Sequence, residues 1–265
     1  MKIIVPIKQV PETSNVKMDE ETGTMIREGV ESIINPLDLY AIEEAIRLKE
    51  QFCSEVTVIS MGPGKAIEAI KEAIAMGCDK GILLSDKKFA GSDTWVTSYV
   101  LSQSIKKIGN FDLVLCGERA TDGDTAQVGP GIASFLDLPV STFTSEIVRV
   151  EKDSIRVKRL VEGGYELLDM KLPAVLTVVK EISNPRLPTL KGKLKAKEMK
   201  IPIWGPENID AQNECLGLKG SPTRVVKIFS QKISRQGEKF IVKDEDDLSK
   251  AIDKIMNYLI SKDIV

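Results

Sequence analysis

The sequence predicts an α/β fold with a doubly wound, mostly parallel sheet, an antiparallel extension, and an extended C-terminal arm that ends in a helix. Short apolar runs alternate with segments of helical period through the first half of the chain, as in βαβ units. The runs Val56–Ile59 and Ile82–Leu84 are almost continuously apolar, which indicates strands buried on both faces by helices. This combination is typical of Rossmann-like and flavodoxin-like folds.

The predicted elements follow one another in a regular order. Strands are expected over Lys2–Ile7, Glu55–Ser60, Gly81–Ser85 and Asp112–Gly117, and helices over Leu37–Gln51, Ala66–Met76 and Thr94–Ile108. Asn35 is expected to cap the first helix, with Pro36 at its first position and Asp38 in its positive first turn. Gly77 and Gly109 are expected to end the second and third helices.

Beyond Leu138 the pattern changes to valine-rich alternation, which predicts an antiparallel addition to the sheet. Strands are expected over Ile147–Val150, Ile155–Val161, Tyr165–Met170 and Ala174–Lys180, with a turn at Glu162–Gly164. After Glu181 prolines and lysines predominate, which indicates an extended arm, and residues 244–261 show an amphipathic helical period. We therefore expect an α/β domain over residues 1–183 and an arm with a terminal helix over residues 184–265.

Composition excludes several classes of function. The formal net charge of -2 gives no broad attraction for nucleic acid, and the lysine-rich segment lacks the interleaved aromatic residues that stack on bases. No apolar run reaches the roughly 20 residues needed to span a bilayer. The first residues already form a strand pattern rather than a leader or transit segment, so a cytoplasmic protein is expected.

Residue usage also limits the chemistry that the chain performs alone. Histidine is absent, which removes Ser-His, Cys-His and His-metal chemistry. The four cysteines form no C-x-x-C pair, so neither a metal site nor catalytic residues are predicted, and the thiols are expected to be reduced and buried. Redox work would therefore require a cofactor.

The most informative loop runs from Gly117 to Pro130, between a predicted strand and the start of a helix. At the carboxyl end of a parallel strand, backbone N–H groups and a helix N-terminus bind phosphate, and Thr125 and Gln127 can donate further hydrogen bonds. The loop matches neither G-x-G-x-x-G nor Walker A, and an ordinary Asx-rich connection is the alternative. A second loop, Met61–Gly64, also follows a strand, so both loops could line one edge of the sheet.

One long segment and several short motifs point to a known family. The long segment is Val157–Leu168 with Pro173–Thr177; the short motifs are Val5–Lys8, Asn35–Pro36, Ser60–Pro63, Ala75–Gly77, Asp122–Val128, Asn184–Arg186 and Lys195–Lys197. Together they resemble the β (small) subunit of electron-transferring flavoproteins along essentially the whole chain. The resemblance implies a heterodimer with an α subunit, in which the β subunit holds AMP or FAD. The implied nucleotide contacts are Pro6, Asn35, Pro36, Leu37, Asp38, Met61, Gly117, Glu118, Arg119, Ala120, Thr121, Asp122, Gly123, Asp124, Thr125, Ala126, Gln127 and Val128.

Two stretches, Gly29–Pro36 and Asp122–Pro130, look like the electron-bifurcating branch of this family rather than the branch that binds AMP. The resemblance then implies FAD in the β subunit, NADH as electron donor, and ferredoxin or flavodoxin as one of two acceptors. Gly62 and Gly64 would allow NADH to approach that flavin closely. The isolated subunit is not expected to be catalytic, because the flavin sites of this family lie between subunits.

Residues Asn184–Leu190, which we call the recognition segment, resemble the family's partner-binding loop. Leu190 matches the position that anchors a flavin-dependent dehydrogenase of acyl-CoA or hydroxy-acid type, and Pro185 and Arg186 accompany it. Three alternatives remain: a non-bifurcating carrier whose β subunit binds AMP structurally, a stand-alone adenine-nucleotide-binding protein, and a scaffold without ligand. The lack of a glycine-rich phosphate loop and the presence of the long arm weigh against a stand-alone protein.

Overall fold

The computed structural model describes residues 1–12, 32–226 and 237–265. The strands are β1 (Lys2–Ile7), β2 (Gln9–Pro11), β3 (Ser32–Ile34), β4 (Glu55–Met61), β5 (Lys80–Leu84), β6 (Leu113–Gly117), β7 (Val140–Val150), β8 (Ser154–Val161), β9 (Gly164–Lys171), β10 (Ala174–Val178) and β11 (Ile203–Trp204). The α-helices are α1 (Asp38–Phe52), α2 (Ile67–Met76), α3 (Thr94–Ile108), α4 (Val128–Leu136), α5 (Leu190–Glu198), α6 (Gly217–Gly220) and α7 (Glu245–Ile260). Two units divide the chain, residues 1–227 and residues 228–265, and α7 belongs to the second.

In the described ranges, nine strands form one sheet in the order β11-β5-β4-β1-β6-β10-β7-β8-β9. The pairs from β11 to β7 are parallel, and β8 and β9 extend the sheet in antiparallel pairing. The chain adds β4 and β5 on one side of β1 and then places β6 on the other side. This reversal between β1 and β6 is the topological switch point of a doubly wound sheet, where such folds bind ligands.

Successive side chains of each strand point to opposite faces of the sheet, and both faces of the parallel part are apolar. Helices therefore cover both faces and form two cores. Ile3 and Val5 of β1 pack in the core formed with α1 and α2, whereas Ile4 packs in the core formed with α3 and α4. The predicted fold class, including the antiparallel addition, is confirmed. The turn between β8 and β9 is also where it was expected, with Gly163 at a φ of 83°.

The start of the first helix differs from the prediction. Helix α1 begins at Asp38 rather than Pro36, and no side chain caps it. Asn35 is not its cap, because its side-chain amide hydrogen-bonds to a distant loop instead. Gly77 and Gly109 do end α2 and α3, with φ angles of 144° and 63°.

The arm contains more regular structure than its composition indicated. Residues 190–198 form helix α5, which packs against α2, and β11 pairs with β5 at the edge of the sheet. The expectation of buried thiols is wrong for Cys53, which is exposed directly after the last turn of α1, and for Cys215, which is only partly buried. Cys78 and Cys116 are buried thiols as expected.

The second unit contains the amphipathic helix predicted near the C-terminus. Asp244 caps α7 by accepting a hydrogen bond from Asp247 N–H at 2.8 Å. Leu248, Ile252 and Ile255 are about half exposed along it. No helix within the described ranges has both the length and the apolar character needed to cross a bilayer.

Candidate functional site

A cavity of about 340 Å³ opens at the carboxyl edge of the parallel sheet, beside the switch point between β1 and β6. Four strand ends contribute to it: the residues after β1, β4, β5 and β6. Among the residues that the sequence predicted, the cavity is lined by Pro6, Asp38, Met61, Gly117, Glu118, Arg119, Ala120, Gly123, Thr125, Ala126, Gln127 and Val128. The predicted segments, separated by up to about 120 residues in the sequence, therefore meet in one place.

Six other predicted residues do not line the cavity: Asn35, Pro36, Leu37, Thr121, Asp122 and Asp124. Asn35 has a structural task beside it. Its side chain is fully buried, Nδ2 donates to Arg119 O at 2.8 Å, and Oδ1 accepts from Thr121 N–H at 3.1 Å. Both polar atoms of the amide are thus used by the backbone of the β6–α4 loop, residues 118–127. Asn35 holds this loop against the end of β1.

Lys8 fastens the same loop from a second direction. Its Nζ forms an ion pair with Asp122 Oδ1 at 2.7 Å, and its backbone N–H donates to Asp38 Oδ2 at 2.7 Å. Gly117, the last residue of β6 before this loop, makes a close approach to α1, since a Cβ there would clash with Asp38 Oδ1 and lie 2.9 Å from the Leu37 carbonyl. Only glycine fits at this point, which lets the loop pass directly over the start of α1.

The buried carboxyl of Asp38 has an unusual affinity for protons. Burial raises its pKa from 3.8 to about 7, against the opposing effects of the Lys8 N–H hydrogen bond and the Lys8 charge. A large fraction of Asp38 is therefore neutral near pH 7, which weakens its repulsion of an anion in the cavity. Burial also raises the pKa of the Cys116 thiol, so this cavity residue stays protonated and is not a nucleophile.

Three helix N-termini contribute residues to the cavity, those of α1, α3 and α4, and they differ in the charge that they carry. Helix α1 begins with the buried Asp38 itself. Asp93 caps α3, accepting from Val96 N–H at 3.0 Å, and also accepts two hydrogen bonds from Thr223. Burial opposes ionisation of Asp93, but these hydrogen bonds outweigh it and lower its pKa, so an acidic cap occupies that helix end. No side chain caps α4, whose first turn includes Val128 and Gly129. Because α1 starts with Asp38 and α3 is capped by Asp93, the N-terminus of α4 is the one of the three that carries no acidic group and is open to an anion.

The α4 N-terminus reaches the edge of the sheet because its residues are small. A Cβ on Gly129 would clash with the Thr177 methyl group of β10, and one on Gly131 would clash with Ser98 of α3. Thr94 Oγ1 donates to Gln127 Oε1 at 2.8 Å and joins the two helix starts. The acidic Glu118 and Asp124 both pair with Arg119, at 3.2 and 3.1 Å, so their charges are partly compensated within the loop.

The sequence reasoning missed one wall of the cavity. Ser92 and Asp93, directly before α3, and Thr94 and Thr97, at its start, line it together with Ile7, Lys8, Leu101, Cys116 and Gly129. The signal for this wall was the Ser-Asp-Thr run directly before a predicted helix, which is an N-cap pattern at a strand's carboxyl end.

Gly62 and Gly64 lie at the same edge, directly after β4, but outside the cavity lining. A Cβ on Gly62 would be 3.1 Å from Ala66 Cβ, whereas Gly64 faces open space. A larger cavity of about 650 Å³ lies at the opposite, amino edge, lined in part by Lys2, Gly109 and Trp204. Helices end rather than begin there, so that edge lacks the features that bind phosphate. Gly29–Glu31, part of the stretch that resembles the bifurcating branch, lie outside the described residues.

The recognition segment presents its predicted anchor to solvent. Leu190 is 77% exposed at the start of α5, and Pro185 is half-buried. The guanidinium of Arg186, by contrast, points to α1, where it forms ion pairs with Glu43 and Glu50. Arg186 is thus engaged within the chain.

Comparisons with known proteins agree with this arrangement. A family model for the electron transfer flavoprotein domain matches residues 22–207. An electron transfer flavoprotein subunit beta from Thermoanaerobacterium thermosaccharolyticum is 45% identical over 266 residues, which cover 100% of both chains. The caffeyl-CoA reductase-Etf complex subunit CarD of Acetobacterium woodii is 48% identical over 239 residues, covering 90% of this chain and 91% of CarD. Protein FixA of Azotobacter vinelandii is 42% identical over 254 residues, covering 93% and 90%.

These matches extend over most of the chain and include the β6–α4 loop, the α4 N-terminus and β7 to β10, which build and support the cavity. Relatives that match over their whole length carry the name of the β subunit. The chain belongs to the electron transfer flavoprotein family, as a β subunit.

Proposed function

We propose that this chain is the β subunit of an electron-bifurcating flavoprotein and that its carboxyl-edge cavity holds the ADP half of FAD. Bound FAD would accept two electrons from NADH and deliver them singly, one to ferredoxin or flavodoxin and one through the α-subunit flavin to a partner dehydrogenase. The observation that carries the proposal is the meeting of four strand ends and the uncapped α4 N-terminus around one cavity.

The cavity fits a nucleotide in size and in chemistry. Its volume of about 340 Å³ is near the lower end of ligand sites, which span roughly 300–1,000 Å³. This size suits half of a dinucleotide, so the remainder of FAD would extend toward the α subunit. The N–H groups of Val128 and Gly129, unpaired within α4, would hold a phosphate, and Thr125 and Gln127 would donate to it. Gly62 and Gly64 leave the edge beside the cavity open to NADH.

The similarity to CarD supports the choice of partner class. CarD's name describes a subunit of a caffeyl-CoA reductase-Etf complex. Its 48% identity to this chain favours an enzyme acting on a CoA thioester over a hydroxy-acid dehydrogenase as the redox partner. The exposed Leu190 on the proline-stiffened recognition segment would provide the docking contact.

Counting the nucleotides of the heterodimer tests the proposal. The chain would be produced with its α subunit, and the nucleotides released by denaturation would be separated and quantified. Two FAD and no AMP per heterodimer are expected. One FAD and one AMP would contradict the bifurcating assignment and would identify the non-bifurcating carrier, since a cavity of this size also suits a mononucleotide.

A pair of glycine variants assigns one of those nucleotides to this cavity. Gly117→Ala would place a methyl group against Asp38 and Leu37, whereas Gly164→Ala adds a methyl group in open space at the start of β9, away from the cavity. The first variant is expected to lose one nucleotide per heterodimer, and the second is expected to retain both. If Gly117→Ala also retains both nucleotides, the cavity is not the β-subunit site.

A further inference from the structure

The recognition segment is fastened to helix α1 by one arginine. Arg186 donates its backbone N–H and its Nε to Glu43 Oε2, at 3.0 and 2.9 Å, and its Nη2 to Glu43 Oε1 at 2.9 Å. Its Nη1 and Nη2 also donate to Glu50, at 2.5 and 3.0 Å. We call these three residues the arginine clamp. Two carboxylates occupy both edges of one guanidinium, the geometry in which Arg–carboxylate pairs are strongest.

The two glutamates occupy one side of α1, two turns apart. The Glu43 side chain is only 6% exposed, whereas that of Glu50 is 57% exposed. Hydrogen bonds to Glu50 and Glu43 raise the pKa of Arg186, and the hydrogen bond from Arg186 lowers the pKa of Glu50. The guanidinium is therefore committed to the helix and is not available to a partner.

A second set of contacts holds the other end of the segment. Thr189 N–H donates to Ala75 O of α2 at 3.3 Å, and the Thr189 hydroxyl caps α5 by accepting from Gly192 N–H at 3.0 Å. A Cβ on Gly192 would clash with Ala75 O, so α5 lies directly against the backbone of α2. Between these two attachments, Leu187 is 85% exposed. An apolar side chain is thus displayed on backbone that is fixed on both sides.

We propose that Arg186 is a positioning residue that holds the recognition segment in its docking conformation before the partner dehydrogenase arrives. This inference rests on the docking role proposed above. A free segment would lose conformational entropy on binding, and a segment that is already ordered avoids that loss. The clamp therefore contributes to affinity for the partner and not to electron transfer within the bound complex.

The mobility of the segment gives a direct test in the heterodimer. A nitroxide label at Leu187→Cys, with the other accessible cysteines replaced by serine, would report motion by electron paramagnetic resonance. Arg186→Gln is expected to make the label move faster. Arg156→Gln is the matched control, because Arg156 forms an equally bidentate pair with Asp169 on the β8–β9 hairpin, and it should leave the spectrum unchanged. A spectrum unaffected by Arg186→Gln overturns the inference.

The functional test measures the KM and kcat of electron transfer from the heterodimer to a flavin dehydrogenase. The enzyme used is one that the wild-type heterodimer reduces. Arg186→Gln is expected to raise KM for the heterodimer about tenfold with kcat nearly unchanged, as loss of preorganisation predicts. Arg186→Lys keeps the charge without the bidentate geometry and should fall between wild type and Arg186→Gln. Glu50→Gln removes only the exposed half of the clamp and should have a smaller effect.

Leu190→Ala separates the inference from the docking role on which it rests. If Leu190→Ala raises KM while Arg186→Gln behaves like Arg156→Gln, the segment docks but Arg186 does not position it. If Leu190→Ala has the wild-type KM, the docking role fails, and the inference fails with it. An increase in KM for both variants, together with a more mobile label, supports both.

Discussion

The β6–α4 loop and the recognition segment are both irregular, and both are held by contacts to the region around α1, but the contacts differ in kind. The loop is fixed mainly by a buried neutral amide, Asn35, and by a close approach at Gly117, with one partly exposed ion pair between Lys8 and Asp122 added. The recognition segment is fixed by charges, through Arg186 and two glutamates. Neutral, buried contacts do not depend on salt, whereas ion pairs open to solvent, such as Arg186 with Glu50, do. The loop of the proposed ligand site is thus held mainly by neutral contacts, and the segment of the proposed docking site is held mainly by charges.

Breaking the arginine clamp should have the largest effect on stability. Arg186→Gln leaves the buried carboxylate of Glu43 without its cation, and removing one partner of a buried pair costs about 3–5 kcal/mol. We expect a value near the lower end, because Arg186 is about one-third exposed. Urea unfolding measures the loss. The double variant Arg186→Gln/Glu43→Gln should recover most of it, and a double variant as unstable as the single one would show that the pairing is not the cause.

Removing Asn35 should lower the free energy of unfolding somewhat less than breaking the clamp does, but it should also affect the proposed nucleotide site. Asn35→Ala leaves Arg119 O and Thr121 N–H without their partner, at about 2–3 kcal/mol of unfolding free energy, and should weaken nucleotide binding. Asn208→Ala is the control, because it removes one hydrogen bond to Gly205 N–H in a remote turn. The Asn35→Ala loss should be equal at low and high salt. A loss that shrinks in high salt would break the contrast between loop and segment.

Asp38 is the buried ionisable group next to the loop, and it predicts a pH dependence. Because the folded pKa of about 7 lies above the unfolded value of 3.8, the folded state binds the proton more tightly, and stability falls as pH rises through 7. Between pH 6 and pH 8 the contribution is about 1.4 kcal/mol, with the protein more stable at pH 6. Urea unfolding at both pH values should show this difference in wild type and not in Asp38→Asn. Asp169→Asn, whose carboxyl has a lowered pKa beside Arg156, should retain it.

The smallest effect is expected for Glu50→Gln. Its carboxylate is more than half exposed, so its pairing with Arg186 should contribute at most about 1 kcal/mol to stability and less at high salt. Unfolding at low and high salt measures this change. Glu68→Gln, which removes an exposed pair with Lys71 on α2, provides the comparison. A salt-independent loss at Glu50 would mean that packing, not charge, holds the segment.

The sequence predicted those parts of the fold that depend on neighbouring residues. Helix α3 was predicted with its observed limits, because the residues before and after it are Asp93 and Gly109, which cap it locally. The start of α1 was misplaced because the amide of Asn35 is satisfied by residues more than 80 positions away. Helix α5 was missed because only Ala196 is buried along it, which leaves no apolar period to detect.

In the candidate site, too, features that depend on neighbouring residues were predicted, and features that depend on distant residues were missed. The β6–α4 loop was found because it directly follows an apolar strand, and its neighbours at Pro6, Asp38 and Met61 came from the family resemblance. The structure then distinguishes residues that line the cavity from Asn35, which supports the loop from behind. The orientation of Arg186 toward α1 could not be read from sequence, because its two glutamates lie 143 and 136 positions away.

Helix α1 carries Asp38 at its first residue and both glutamates of the arginine clamp farther along. Its length therefore sets the distance between the two regions. From Asp38 to Glu50 the axial rise is about 18 Å, at roughly 1.5 Å per residue. Inserting or deleting one residue in between would rotate Glu50 by about 100° about the axis and turn it away from Arg186. A change in the length of this stretch would therefore alter the relation between its two ends, which a substitution within it would not. We therefore expect relatives that keep both Asp38 and Glu50 to keep the number of residues between them.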